Sequence, residues 1–280
     1  MKKNNQLSAW LFLLPGITFF LLFSVYPIFK SIQLSFYDAG VMTQKFIGLK
    51  NYITIFHSER ILNAFANSGK FTLFIVPIVT FLPLIIAAIG YRMHKTLQTA
   101  IRFAYYIPVI SAGPITVMVW LWLLNPTGLI NQLLGKQIFW LGSNPEAFFA
   151  ISLIVISIDM GMTIIIYSAA MTTINTELFD AAKIDGCTDI QEDWYITRPL
   201  MLPTVGFIFF IKIIGISQIF LYPMIMTGGG PNYGTNTAVL EIYYQAFRYG
   251  KYGYASAIGV LFAIAIGTIG VMQRKFFKER

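Results

Sequence analysis

Carboxylates are scarce in this chain of 280 residues, 12 in all, and six of them fall within 17 positions: Glu177, Asp180, Asp185, Asp189, Glu192 and Asp193. Acidic side chains at this density can grip the basic groups of a partner through rim ion pairs, each worth about 0.2–1 kcal/mol. Two more ionisable residues stand alone in long apolar stretches, Asp159 within 147–176 and Lys212 within 199–240. Ionisable groups at such positions are costly and therefore informative. Three roles are open to them: an ion pair joining two elements, a carboxylate facing a polar solute, or a group that reaches out to water.

Covalent and metal chemistry find no support. The phosphate-binding pattern of Gly, four residues, Gly, Lys and Ser or Thr does not occur; Gly135-Lys136-Gln137 lacks both the hydroxyl and the upstream glycine. The run Gly228 to Gly230 is followed by Pro231 and not by a helix-opening lysine, which describes a bent turn. The two histidines, His57 and His94, lack zinc-site spacing, and Cys187 is the single cysteine, so neither a metal site nor an internal disulfide is expected. Nothing resembles a nucleophile elbow.

The elements that must position these groups are membrane helices. The chain is 56% hydrophobic, 16% aromatic and 11% charged, with a mean hydropathy of +0.67, outside the range of soluble domains. A helix needs about 20 apolar residues to cross a hydrocarbon layer of ~30 Å, because each backbone amide must be paired inside the lipid. Six candidates meet this, at 7–29, 71–92, 103–125, 147–170, 199–223 and 252–273, in a single transmembrane domain over 1–280. The alternation of a membrane barrel is missing. Prolines 77, 83, 108, 114, 203 and 223 predict bent helices. The first apolar run follows Lys2 and Lys3, but it is too long for a signal core and no small-residue cleavage site closes it, so it reads as a retained span.

Basic residues near helix ends favour the cytoplasm. With both termini inside, Lys2, Lys3, Arg92, Lys95, Arg102, Lys183, Arg198, Arg274, Lys275, Lys278 and Arg280 are cytoplasmic, against eight basic residues outside. The net charge of +8 follows from this topology and from attraction to anionic membrane lipid, with no need for nucleic acid. The acidic segment then lies in a cytoplasmic loop, 172–198. Thr176 can cap a helix whose first turn holds Glu177 and Asp180, Gly186 can supply a left-handed stop, and Thr188 to Gln191 has capping-box spacing for a second helix ending before Pro199. Ala181 and Ala182 offer a shallow surface ringed by carboxylates. Such a loop is either a docking knob or an ordinary solvated turn.

Asp180-Ala-Ala, Gly186, nine residues, then Ile196-Thr-Arg-Pro199 resembles the loop signature of permease subunits in ATP-binding-cassette importers, usually Glu-Ala-Ala, three residues, Gly, nine residues, Ile, any residue, Leu-Pro. Asp180 stands for the Glu and Arg198 for the Leu. The stretches LFLLPGITFFLLFSVYPIFKSIQLSFYD, FIGLKNYITIF, MTGGGPNYGTNTAVLEIYYQAF and YGYASAIG are similar to the sugar-importing branch, and Gly228 to Pro231 resembles its subunit akin to the larger maltose-transporter permease.

The resemblance implies an all-α integral membrane protein with the six transmembrane helices of the type I importer permease fold, in the plasma membrane of a prokaryote. It implies half of a translocation pathway for a sugar or oligosaccharide, coupled to an ATPase through Glu177, Leu178, Asp180, Ala181, Ala182, Asp185 and Gly186. It implies four kinds of partner: a second homologous permease, two ATPase subunits, an extracytoplasmic solute-binding protein and lipid. This chain needs no cofactor, since ATP and Mg belong to the partners, and it is not itself an enzyme. In that branch Ser217, Gln218, Phe220 and Tyr222 stand where solute passes, with 218 and 222 on one helical face, and Asp159, Trp120 and Asn125 are further candidates. The aromatics could equally pack the bundle or mark the interface belt. Two rival classes remain: an ion-coupled secondary transporter, although no repeat relates the halves, and a scaffold subunit without transport.

Overall fold

The computed structural model describes residues 2–40, 42, 44–110 and 113–278, with side chains described over 10–40, 42, 44–94, 96–100, 102–107, 109 and 113–272. The side chains of Lys2, Lys3, Lys95, Arg274, Lys275 and Lys278, and all of Arg280, lie outside the described residues. Among the described residues five helical stretches are long and apolar enough to cross a membrane: Trp10–Leu34, Glu59–Arg92, Asn144–Met171, Asp189–Thr227 and Tyr252–Met272. Gly113–Leu123 is a shorter apolar helix. The chain divides into two compact units, one of residues 1–62 and 241–265, the other of 63–240 and 266–280.

The first unit opens with α1 (Lys2–Phe20), runs through a π-helical turn over Leu21–Val25 and continues as α2 (Tyr26–Leu34). Proline at position 27 lacks an N–H and its ring would strike the carbonyl four residues back, at Phe23. The wider π turn falls on that residue and lets the helix continue. A two-stranded antiparallel hairpin follows, β1 (Tyr37–Ala39) on β2 (Gln44–Phe46), with Tyr37 opposite Phe46. Asn51, buried on α3 (Lys50–Phe56), donates to the carbonyls of Ser35 and Tyr37, both at 2.9 Å. Farther along the chain, α13 (Ala238–Tyr243) leads through a second π turn, Tyr244–Arg248, to α14 (Tyr252–Lys278). Buried Glu241 accepts from Arg60 Nε at 2.9 Å and from Gln245 at 2.7 Å, so its charge is paired within the unit.

The second unit is built on α4 (Glu59–Arg92) from residue 63 onward. It continues with α5 (Lys95–Ile110), α6 (Gly113–Leu123), α7 (Leu129–Leu134), α8 (Asn144–Met171), α9 (Thr176–Ile184), α10 (Asp189–Glu192), α11 (Arg198–Ser217) and α12 (Leu221–Thr227). Its apolar centre joins Phe71, Ile75 and Val79 of α4 to Ile151, Ile154 and Val155 of α8 and to Ile216 of α11. A second cluster gathers Tyr167, Met171, Met201 and Ile208. At Gly161 of α8 an added Cβ would lie 2.0 Å from the Tyr105 carbonyl, so α5 and α8 cross with backbone on backbone, a contact only glycine permits.

The structure differs from the sequence expectation most at three spans. The span expected at 71–92 starts at Glu59, with Glu59 in its first turn. The span expected at 103–125 is represented by α5 and α6, flanking residues 111–112, which lie outside the described residues. The expected continuous helix 199–223 is broken: α11 stops at Ser217, Gln218 and Phe220 leave helical geometry, and α12 restarts at Leu221. With this break, positions 218 and 222 are no longer one turn apart on a common face.

Candidate functional site

The polar segment 175–197 is assembled from local bonds. Asn175, one residue earlier than the expected Thr176, is the cap of α9: its side-chain oxygen accepts from the Glu177 N–H at 3.1 Å. The helix closes at Gly186, whose φ of +76° is left-handed. The Cys187 N–H reaches the Ala182 carbonyl at 2.9 Å and the Gly186 N–H the Lys183 carbonyl at 3.1 Å, the paired bonds of a Schellman stop. Thr188 then opens α10, with the Gln191 side chain accepting from its N–H at 2.8 Å as a capping box requires.

The second helix does not end before Pro199. It passes through a π turn, Asp193–Thr197, into α11, and the turn lies on Tyr195, the residue whose carbonyl a proline at 199 would strike. Arg198, which replaces the leucine of the family signature, stacks its guanidinium 4.0 Å from the centre of the Trp194 ring.

The structure brings Glu177, Leu178, Asp180, Ala181, Ala182, Asp185 and Gly186 together on this short element but divides the two alanines. Ala181 is exposed, while Ala182 is buried with the core and cannot contribute to an outward surface. The exposed apolar face instead comprises Leu178 (44% exposed), Ala181 and Ile184 (87%), with Ile190 (80%) beyond the turn. Ile184 follows Ala181 by three residues, so helical periodicity alone could have found it. Of the six acids, Asp189, Glu192 and Asp193 are gathered by Arg92 of α4, at 2.9, 3.6 and 2.9 Å. Arg92 was legible only as a topological charge, because its partners lie about 100 residues away.

The second feature is the mid-helix pair. Lys212 Nζ lies 2.7 Å from Asp159 Oδ2, joining α11 to α8. The approach is off the hydrogen-bonding direction, so the attraction is an ion pair rather than a directed bond. The pair opens on a cavity of about 230 Å³ that Tyr222 also lines, with Ile158, Ile211 and Gly215. Other sequence candidates lie elsewhere. Ser217 is buried and committed to the Ile213 carbonyl at 2.6 Å and to the Thr72 hydroxyl at 3.1 Å. Gln218 bonds back to the Ile214 carbonyl at 3.1 Å, and Phe220 sits in the helix break. Trp120 packs on the apolar centre. Asn125 accepts from the Thr127 N–H and hydroxyl, beyond the end of α6. Among the described residues no group of three or more His, Cys, Asp or Glu could hold a metal ion.

Long apolar helices, a capped polar element and a charged cavity between α8 and α11 are the build of a transport permease. The chain belongs to the family described as "Binding-protein-dependent transport system inner membrane component", whose model matches residues 52–280. It is thus a multi-pass importer subunit of an inner membrane and not itself catalytic. It is 30% identical to the "Probable ABC transporter permease protein YurN" of Bacillus subtilis, over 99% of this chain and 98% of that one. It is 27% identical to the lactose transport system permease protein LacF of Rhizobium radiobacter, over 100% and 97% of the two chains. A chain in the crystal structure of a bacterial ABC transporter that imports the acidic polysaccharide alginate has the same fold, with a TM-score of 0.88 at 23% identity, covering 99% of this chain and 96% of that one. A second structure of an alginate transporter, in complex with an alginate pentasaccharide-bound periplasmic protein, matches with a TM-score of 0.87 at 22% identity over 96% and 93% of the chains.

Proposed function

We propose that the chain forms half of the pathway of an ATP-driven importer for a sugar or oligosaccharide and that residues 177–186 seat it on a separate ATPase. The observation that carries this is the exposed face of α9: Leu178, Ala181 and Ile184 are exposed and ringed by Glu177, Asp180 and Asp185, on a helix capped at both ends. Such a face offers an apolar centre and a charged rim, the anatomy of a protein interface. The segment is cytoplasmic, as are both termini. ATP and Mg are held by two ATPase subunits, a second permease completes the pathway, and an extracytoplasmic binding protein delivers cargo, as in the alginate transporter with its periplasmic protein. ATP closes the ATPase pair and carries 177–186 with it, and the bundle shifts between inward and outward openings.

A carbohydrate cargo is supported by relatives that transport lactose and alginate and by the cavity where Tyr222 stands beside Asp159 and Lys212, an aromatic face next to fixed polar groups. The test is recovery of an ATPase with the tagged, membrane-extracted chain, and loss of that recovery in Ala181→Trp, which leaves the buried side of α9 untouched. Equal recovery from Ala181→Trp would remove this face from the interface.

A further inference from the structure

One helix of the second unit is bonded near each end to a different functional segment. Toward its start, Asn67 of α4 donates to the carbonyls of Tyr233 and Asn236 at 2.8 and 3.1 Å, and Ser68 Oγ accepts from the Ala238 N–H at 3.0 Å. These bonds hold the turn at 228–237, which includes left-handed Gly228, Gly229, Asn232 and Tyr233. At the other end Arg92 pairs with Asp189, Glu192 and Asp193 and also donates to the Asp189 carbonyl at 2.6 Å. From residue 67 to 92 a helix rises ~37 Å, somewhat more than the hydrocarbon layer. A single element therefore reaches from the glycine-rich turn to the polar helix pair.

Arg92 also divides the acidic segment. The three carboxylates it holds all follow the Gly186 stop; of the three that precede it, Glu177 accepts from the Asn175 amide at 3.1 Å, Asp180 borders the cavity beside Arg92, and Asp185 is exposed. Glu192 is pinned on the inner side, its side chain only 6% exposed, while Asp189 and Asp193 close the contact from the rim. A single rim pair is weak, but one guanidinium holding three carboxylates and a carbonyl restrains α10 in both distance and direction. Beside this contact lies a cavity of about 370 Å³, lined by Tyr91, Phe179, Asp180, Lys183 and Thr197. The Tyr91 ring packs 6.2 Å from the Phe179 ring of α9, and Arg92 adds the directed, charged contact to the segment after Gly186.

We propose that Arg92 is a positioning residue that fastens the docking element to α4, so that displacement of 177–186 is delivered along that helix to the turn at 228–237. This rests on the docking role given above for α9. The test uses the full complex, purified with its ATPase from a Cys187→Ser background carrying Asn63→Cys, an exposed position near the start of α4. The readout is the change in maleimide labelling rate at residue 63 when a non-hydrolysable ATP analogue and Mg are added. The unaltered complex should show a change, Arg92→Gln should shrink it between about 2-fold and 30-fold with ATPase still recovered, the range known for residues on such a path, and Arg92→Lys, which keeps the charge but not the fork of donors, should give a response between the two. An undiminished response in Arg92→Gln, or no nucleotide response in the unaltered complex, would overturn the proposal. Should Arg92→Gln fail to assemble, Arg92→Lys decides: a weakened response supports the role, since an ammonium cannot reproduce the several directed bonds of the guanidinium, and a response equal to that of the unaltered complex contradicts it. Failure of the unaltered chain to recover any ATPase would instead strike the docking role itself.

Discussion

Segments 175–188 and 217–237 are both polar interruptions in an apolar chain, yet they are held differently. The first is closed by bonds among near neighbours: Asn175 to Glu177, Cys187 to Ala182, Thr188 to Gln191. The second has local bonds of its own, Thr227 to Thr235 and Thr235 to Gly230, but is also held by distant residues, Asn67, Ser68 and Thr72 of α4, and adjoins a charge pair whose members are 53 positions apart. A segment that folds on itself can be carried as a rigid piece by an outside partner. A segment held by neighbouring helices changes when those helices move, as the wall of a solute path must.

The sharpest way to break this contrast is at the charge pair. Lys212→Met leaves Asp159 uncompensated and should destabilise the detergent-solubilised chain by about 2 kcal/mol, below the ~3–5 kcal/mol of a fully buried pair because Asp159 retains 30% exposure. Pairing it with Asp159→Asn should recover most of the loss in the same unfolding titration. Next in size, Asn67→Ala removes two hydrogen bonds to the 228–237 turn and should cost about 1–2 kcal/mol, read as faster proteolysis of that turn with α9 unaffected.

The same contrast explains what the sequence makes legible. Gly186, the Thr188 capping box and the apolar spans announce themselves within a few residues, so the docking element and most of the bundle can be drawn from local pattern. The cap at Asn175 is missed by one position because Thr176 is an equally good capping type. The break at Gln218 to Phe220 is marked only indirectly, by Pro223, whose ring would strike the Ile219 carbonyl four residues back; that carbonyl instead accepts from the Thr237 hydroxyl, 18 positions on. The π turns ahead of Pro27 and Pro199 are invisible to a rule that ends helices before proline. Ser217, Trp120 and Asn125 have the right chemistry for a solute path but are committed elsewhere by tertiary bonds or packing.

Smaller effects should stay within the docking element. Gly186→Ala meets no atom within 4 Å, so its intrinsic cost is only the left-handed backbone, about 1 kcal/mol, while a bulky residue there should abolish ATP-driven uptake with membrane insertion intact. Normal uptake by Gly186→Trp would mean that no partner closes on the turn. Asn175→Ala should cost ~0.5–1 kcal/mol and speed amide exchange at residues 177–179, leaving the charge pair undisturbed.

The docking claim is tested most directly by where a bound ATPase can be cross-linked. In a Cys187→Ser background, a cysteine at Ala181→Cys carrying a short bifunctional reagent should join to the co-purified ATPase, and one at Tyr233→Cys should not. Free modification of the 181 cysteine by a water-soluble maleimide while the ATPase remains bound, or cross-linking from 233 instead, would contradict the account.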